Sequence, residues 1–272
     1  MPDSVNPISL GTCVMTLLDP KRGAEVSFNR YYERERFYAA MMLGPSAFSG
    51  GRFIARRSDK AARRVLDASV DPERGSFLNL FWVIGSGEDL REWTAAQVEK
   101  LDAAGRTNWD RVPYWGYRSS FEWSVSRDAD GVPPELALVH RYRGLALAVI
   151  KARDGADVRE VSRWYRENVA PSTVRPGGSA ALCLGCVGSR LSTPVNPGDP
   201  RTGQVSEEKD LLLFWFLESE PEQGWPELVA AHEAGFAGST DGVPYWMSRF
   251  IPSNPGTDDY VEDIWLSSPS DA

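Results

Sequence analysis

Val112-Pro113-Tyr114-Trp115 recurs as Val243-Pro244-Tyr245-Trp246, an offset of 131 residues (243 minus 112). Two other short matches precede this one in the same order along the chain. Leu80-Phe81-Trp82 recurs as Leu213-Phe214-Trp215, and Arg30-Tyr31-Tyr32 recurs as Arg163-Trp164-Tyr165, both at an offset of 133. Three matches in one order predict a tandem duplication, with one structural unit in each half of the chain. Such a chain can contain within itself an assembly that single-copy proteins form by dimerising.

The composition is that of an ordinary globular protein. The chain has 272 residues, of which 42% are hydrophobic and 25% charged, with a net charge of −8. This acidic balance argues against nucleic acid or an anionic membrane as a partner. Met1 to Pro7 lacks the features of a signal peptide, and no stretch has the ~20 apolar residues of a membrane span. An odd number of cysteines, three, fits a reducing compartment, so we expect a cytoplasmic protein.

Hydrophobic periodicity predicts the order β-α-β-β-α-β in each half, which is a ferredoxin-like unit. The predicted units are residues 1–127 and 136–272, joined by a linker at 128–135 that is rich in turn-forming residues. A loop within the second unit, Pro194 to Gly203, is expected to be mobile. The elements of the first unit are predicted at 12–18, 23–42, 51–57, 77–84, 90–104 and 115–125, and those of the second at 145–152, 157–167, 180–187, 211–217, 226–234 and 245–251.

A ferredoxin-like sheet carries helices on one face and leaves the other face bare. An exposed apolar face favours association, so the bare face must be covered. We therefore expect an α+β barrel formed within one chain, with both bare faces inside and the helices outside. The alternative is that the two units lie side by side and each pairs with another chain. A homodimer of the duplicated chain is compatible with either arrangement.

The segment Phe28-Asn29-Arg30-Tyr31-Tyr32, followed by Gly44-Pro45 and Arg52-Phe53, resembles the dimeric α/β-barrel superfamily, and in particular its EthD-like members. Those members typically carry Phe-Asn-x-Trp-Tyr-x-x-x-His on the first helix and Arg-Phe on the second strand. The resemblance implies a barrel fold and a pocket between sheet and helices. The histidine of the family pattern falls on Arg36 in unit one and on Val169 in unit two. Neither side chain can act as a base near neutral pH.

The first helix of unit one supplies the candidate catalytic residues. Asn29 and Arg36 are seven residues apart, so on an α-helix they share a face, and Glu33 lies near that face. If the face lines the pocket, Tyr32 is expected to serve as the acid, base or hydrogen-bond donor. Arg36 would then hold developing negative charge and Asn29 would orient the substrate. The alternative is a solvent-exposed face on which Glu33 pairs with Arg36, with Tyr32 packed in the core.

Five further residues are candidates for substrate contact: Trp82, Tyr114, Trp115, Arg52 and His140. The repetition of Val-Pro-Tyr-Trp favours an architectural role for that motif, because the same residues recur in both halves; lining a pocket is the alternative. Arg52 begins a basic stretch that ends at Arg64. This stretch is interpreted as a solvated face, with an anion-binding patch as the alternative.

No metal or cofactor is predicted. The two histidines, His140 and His232, share no metal-ligand spacing, and a haem would need one of them as its axial ligand. Cys183-Leu184-Gly185-Cys186 lies in an apolar stretch that predicts a strand. Residues three apart on a strand point to opposite faces, so packing is expected there rather than a redox pair.

These observations predict a cofactor-independent enzyme that acts on a small hydrophobic compound, aromatic or polycyclic. The reaction would be proton transfer, as in isomerisation, cyclisation or elimination, or an oxygenation in which the substrate itself activates oxygen. One alternative is a barrel of the stress-response type that binds a hydrophobic ligand without changing it. A second alternative is a haem-binding protein of the same fold.

Overall fold

The computed structural model describes residues 8–191, 205–239 and 241–267, and the predicted loop Pro194 to Gly203 lies outside them. The first half contains β1 (Thr12–Pro20), α1 (Glu25–Tyr31), a π-helical continuation of α1 (Tyr32–Met42), β2 (Ala47–Ile54), α2 (Arg57–Ala61), β3 (Arg64–Val65), β4 (Phe77–Val83), α3 (Glu88–Ala103) and β5 (Arg111–Ser126). After a 3₁₀ turn at Pro134–Leu136, the second half contains β6 (Gly144–Ala152), α4 (Val158–Asn168), α5 (Ala170–Thr173), β7 (Ala180–Leu191), β8 (Val205–Leu217), α6 (Pro221–Phe236) and β9 (Gly242–Pro252). We call α1 and its π-helical continuation helix 1.

The strands form one antiparallel sheet that closes on itself. Its order is β2-β4-β1-β5-β7-β8-β6-β9, with the short β3 beside β9, and β2 pairs in turn with β9. In both halves the four main strands pair in the same order: second, third, first, fourth. The halves join through a long ladder between β5 and β7, but through only two residue pairs between β2 and β9, Phe53↔Pro252 and Ile54↔Ile251. The β2–β9 joint, called here the seam, is therefore the weaker closure.

The interior of the closed sheet is filled by side chains. One buried apolar cluster draws residues from all eight strands of the ring, including Trp82, Trp115, Tyr117, Phe214 and Trp246. Two other clusters lie outside the sheet, one under helix 1 and one under α4 to α6. Because both faces of the sheet are covered, strands such as β4 are buried at every position. Within the described parts of the chain, no helix has the length and apolar character needed to cross a membrane.

The two Val-Pro-Tyr-Trp motifs meet inside the sheet. The rings of Trp115 and Trp246 are 5.0 Å apart and perpendicular, and the ring of Tyr245 is 6.0 Å from that of Trp115. The strand that pairs with each motif carries a register shift at a corresponding place, between Leu17 and Leu18 and between Val149 and Ile150. These contacts agree with an architectural role for the repeat.

The Leu-Phe-Trp repeat does not mark equivalent positions, contrary to expectation. Leu80 and Trp82 point into the interior of the sheet, whereas Leu213 and Trp215 face the helices of the second half. Trp82 instead contacts Phe214 inside the sheet, with ring centroids 6.3 Å apart. The side chains of a strand alternate between faces, so a displacement of one residue reverses every one of them.

Arg52, Lys60 and Arg63, half of the basic side chains between Arg52 and Arg64, are buried, so the interpretation of the whole stretch as a solvated face is wrong. Only 1% of Lys60 and 8% of Arg63 is exposed. The guanidinium of Arg63 donates hydrogen bonds to the carbonyl oxygens of Pro72, Arg74 and Gly75. Burial lowers the pKa of Arg63 to about 10 and that of Lys60 to about 8.

The chain beyond β9 returns to the first half. Val261 and Ile264 are buried in the same cluster as Phe28 of helix 1. Asn29 donates to the carbonyl oxygen of Thr257, and the indole N–H of Trp265 donates to Glu25. Residues 253–267, called here the return segment, therefore cover helix 1.

Replacing Gly188 with alanine is expected to weaken the joint between the halves. Gly188 lies on β7, and an added Cβ would stand 2.5 Å from the Cα of Ser119 on β5 and closer still to the carbonyl oxygen of Arg118. Backbone atoms cannot rotate away, so we expect the free energy of unfolding in urea to fall by about 1–3 kcal/mol. Gly238→Ala is the control, since no atom of the described residues lies within 4 Å of its added Cβ. Equal losses in the two variants would contradict this account of the joint.

Candidate functional site

A cavity of about 350 Å³ opens beside the seam. β9 ends at Pro252, and the N–H of the next residue, Ser253, still donates to the carbonyl oxygen of Arg52 on β2 at 2.9 Å, so the cavity lies directly beyond the end of this ladder. Its volume is within the range of small-molecule sites, ~300–1,000 Å³. The wall comes from helix 1, β2, β8, the connection between β5 and β6, and the return segment: Glu33, Phe37, Tyr38, Gly50, Gly51, Arg52, Phe53, Ala137, Leu138, Val139, His140, Arg141, Tyr142, Phe216, Pro252, Ser253 and Pro255.

Most of the cavity wall is apolar. Phe37, Phe53, Tyr142 and Phe216 contribute aromatic rings, and the connection between the halves adds aliphatic side chains. Helix 1 lies close to β2 at Gly50, where a side chain has no room. An added Cβ would stand 2.7 Å from the sulfur of Met42 and 2.8 Å from the ring of Phe37. The wall is therefore suited to the flat apolar body of a small ligand.

One end of the cavity is polar and is organised around Arg52. Only 4% of this side chain is exposed. Its Nε donates to Oδ1 of Asn79 at 3.1 Å, and its Nη1 donates to Oδ1 of Asn29 at 2.9 Å. The guanidinium also lies 5.0 Å from the ring centroid of Tyr32. Burial lowers the pKa of Arg52, and the charges of Tyr32 and Glu33 oppose that shift.

Glu33 forms an ion pair with Arg52, and its Oε1 is 3.1 Å from Nη1. The other carboxylate oxygen, Oε2, accepts the backbone N–H of Gly256 from the return segment at 3.0 Å. Three buried polar atoms on the cavity wall have no hydrogen-bond partner among the residues that the structure describes. They are Oε1 of Glu33, Nη2 of Arg52 and Oγ of Ser253. A buried polar atom without a partner costs about 1–3 kcal/mol, so a ligand that satisfies these atoms is favoured.

The π-helical part of helix 1 determines which residues reach this end of the cavity. The N–H of Leu43 donates to the carbonyl of Tyr38, five residues earlier, as in a π-helix. Successive residues of a π-helix are separated by a smaller rotation about the helix axis than those of an α-helix. Arg36 is therefore rotated away from the face that carries Asn29. The prediction that Asn29 and Arg36 share a face is therefore wrong.

Arg36 lies on another side of helix 1. It is beside Tyr31 and Arg111. Burial raises the pKa of Tyr31, and the charge of Arg36 opposes that rise. Burial also lowers the pKa of Arg111 to about 10, and the charge of Arg36 adds to that fall. The predicted Glu33–Arg36 surface pair is replaced by the buried Glu33–Arg52 pair.

The other predicted site residues are divided between the cavity and the core. Arg52 and His140 lie on the cavity wall. Asn29 and Tyr32 are buried behind Arg52 and do not reach the wall, and the Tyr32 hydroxyl is 3.2 Å from Oγ1 of Thr16. The structure places Trp82, Tyr114 and Trp115 away from the cavity. Trp82 donates its indole N–H to Pro134, and Tyr114 stacks on Trp115 with ring centroids 4.5 Å apart.

The corresponding place in the second half is filled. Gly185, 133 residues after Arg52, pairs with Leu213 on β8 as Arg52 pairs with Asn79 on β4. The indole of Trp123 covers Gly185, where an added Cβ would stand 2.7 Å from its Nε1. Trp123 in turn donates to Ser162, 133 residues after Asn29, at 2.9 Å. A glycine, a leucine and a serine thus replace the buried polar residues of the first half.

The histidines limit the haem alternative. His232 is 2% exposed, its Nδ1 is 2.9 Å from the hydroxyl of Tyr165, and the space beside it is about 10 Å³. It has no room for a prosthetic group. His140 stands exposed at the cavity mouth with its ring 4.4 Å from that of Tyr142, so a haem would depend on His140 alone. No cluster of three or more His, Cys, Asp or Glu side chains suited to a metal ion occurs in the described residues.

Comparison with solved structures shows that this α+β barrel fold also occurs in proteins of very low sequence identity. A protein provisionally described as a chlorite dismutase is 9% identical, with 94% of this chain and 98% of that chain covered at a TM-score of 0.50. A dye-decolorizing peroxidase from Bacteroides thetaiotaomicron is 9% identical, with 97% and 98% covered at a TM-score of 0.50. A protein from Fusobacterium nucleatum subsp. nucleatum, provisionally described as a monooxygenase, is 7% identical, with 90% and 94% covered at 0.50. No family model and no curated protein matches the sequence.

Acid is expected to destabilise the fold through His232. Burial lowers the pKa of His232 from 6.5 to about 4, so the folded state favours the neutral ring. The resulting stability is complete above pH 6.5 and is lost as the pH falls to about 4, a change of roughly 3 kcal/mol. Urea unfolding of the wild type should show this loss relative to His232→Gln across that interval. His140→Gln, at an exposed histidine, should retain the wild-type pH dependence; an unchanged pH dependence in His232→Gln would refute the assignment.

Proposed function

We propose that the cavity binds a small hydrophobic compound and that Glu33 and Arg52 carry out proton transfer on it without a cofactor. Glu33 is the general base and takes the proton on Oε1. Arg52 stabilises the negative charge that develops on a substrate oxygen. Asn29 and Asn79 hold the guanidinium in place, and Tyr32 packs against its face. Asn29 and Tyr32 thus act through Arg52, while Arg36 has no part in this proposal.

The observation that carries the proposal is a buried ion pair with unused hydrogen-bonding capacity on the wall of an apolar cavity. Among the residues that the structure describes, none forms a hydrogen bond with Oε1 of Glu33 or Nη2 of Arg52, and both residues line the cavity. Before proton transfer, Glu33 neutralises Arg52. After transfer Glu33 is uncharged, and the full charge of Arg52 faces the new enolate or phenolate. The interaction therefore strengthens along the reaction, as a catalytic interaction must.

The same deprotonation is the first step of an oxygenation in which the electron-rich substrate reacts with O₂. One protein of similar fold is provisionally described as a monooxygenase, which is consistent with this route. Binding without turnover is the alternative from another class. Native mass spectrometry of freshly purified protein would identify a retained ligand and give the number of chains, which also tests the homodimer.

We also propose that the two halves are ferredoxin-like units, 1–127 and 136–272, that arose by tandem duplication of an EthD-like ancestor. The identical strand order and the matched register shifts support this origin. The first half kept a polar ligand site, and the second half lost it to Trp123 and Gly185. A cytoplasmic location stays part of this proposal and follows from the cysteine count.

Removal of the Glu33 carboxylate is the direct test of the chemistry. With the substrate identified, Glu33→Gln is expected to reduce kcat by about 10²–10⁴-fold, because the amide cannot accept the proton. Arg52→Lys should also reduce kcat, since it keeps the charge but loses the planar fork held by Asn29 and Asn79. Glu35→Gln is the control: Glu35 lies on the same helix but pairs with Arg106. Full turnover by a correctly folded Glu33→Gln variant would show that Glu33 is not the base.

A further inference from the structure

We infer that this site selects uncharged ligands whose polar end presents a hydrogen-bond donor next to an acceptor, and that Glu33 excludes carboxylates. The inference rests on the proposed function, because it concerns the same cavity. The inference specifies two properties of the substrate that the proposed function leaves open: its charge and its hydrogen-bonding pattern. Hydroxyketones and enolisable ketones belong to this class.

The charge of the site is balanced before any ligand enters. Arg52 contributes one positive charge, and Oε1 of Glu33 lies 3.1 Å from its Nη1. A carboxylate placed against Arg52 would therefore also stand beside Glu33, and the repulsion would cancel much of the attraction. The other cationic side chain on the wall is Arg141, which is exposed at the mouth and screened by water. An uncharged ligand meets no such penalty.

The hydrogen-bonding capacity of the site defines the polar group of the ligand. Nη2 of Arg52 is an unused donor and requires an acceptor, such as a carbonyl oxygen. Oε1 of Glu33 faces Nη1 of Arg52 at 3.1 Å without a hydrogen bond from any described residue, and it can accept one from a donor such as a hydroxyl. Oγ of Ser253 can serve either partner. All three atoms are buried, so a ligand reaches them only if side chains on the cavity wall rotate.

A matched pair of ligands tests this selectivity. The ligands 1-hydroxy-2-acetonaphthone and 1-hydroxy-2-naphthoate share their rings and hydroxyl group and differ in an uncharged acetyl against a carboxylate. Binding at pH 7 is measured by calorimetry on the full chain. We expect the wild type to bind the ketone at least about tenfold more tightly than the naphthoate. Glu33→Gln, which removes the repelling charge, should bind the naphthoate about tenfold more tightly than the wild type does and should bind the ketone more weakly, because its hydroxyl loses the carboxylate acceptor.

Two further variants make the outcomes separable. Glu35→Gln should leave both affinities at the wild-type values, which shows that the effect is local to Glu33. Leu138→Trp replaces an aliphatic side chain on the cavity wall with a large indole ring and should abolish binding of both ligands. A wild type that prefers the naphthoate, or a preference unchanged in Glu33→Gln, would overturn the inference and leave the ligand cavity intact. Absence of binding by either ligand, or binding that survives Leu138→Trp, would remove the cavity as the site and the proposed function with it.

Discussion

The guanidinium of Arg52 is buried at the seam, next to the residue pair Phe53↔Pro252 that closes the sheet. A buried charge is costly unless it is paired and hydrogen-bonded, and this requirement accounts for much of the first half. Asn79 on β4 and Asn29 on helix 1 accept hydrogen bonds from the guanidinium, and Glu33 on helix 1 forms an ion pair with it. The return segment in turn fixes Asn29 and Glu33 through the backbone of Thr257 and Gly256. Helix 1, the seam and the return segment are thus held together by one cation.

The two closures of the sheet differ, and the difference explains where the cavity lies. Between β5 and β7 the ladder is long, and Trp123 from β5 covers Gly185 beneath α4. Between β2 and β9 the ladder has two residue pairs, and the cavity opens beside Arg52. One chain with two similar halves therefore has one filled site and one open site. The second half is thus packed with apolar side chains at this place, and the first half carries buried polar groups there.

Sequence patterns were sufficient for the elements and insufficient for the details of the site. The strands and helices lie near their predicted positions, since alternation and helical periodicity report burial directly. The opposite orientation of the two cysteines on β7 is confirmed: Cys183 faces the helices and Cys186 the interior. The π-helical turn that separates Arg36 from Asn29 has no signature in residue type. The Leu-Phe-Trp match was misleading because both faces of the sheet are apolar, so a displacement of one residue leaves the pattern unchanged. The buried arginines depend on partners such as Asn79 that are distant in sequence.

A crystal structure of the protein with bound 1-hydroxy-2-acetonaphthone would test whether Arg52 and Glu33 form the ligand site. The account expects the naphthalene ring between Phe37, Phe53 and Phe216. The carbonyl oxygen should lie within about 3.2 Å of Nη2 of Arg52, and the hydroxyl should donate to Oε1 of Glu33. A ligand whose polar end points to His140 at the mouth and makes no hydrogen bond with Arg52 or Glu33 would contradict it.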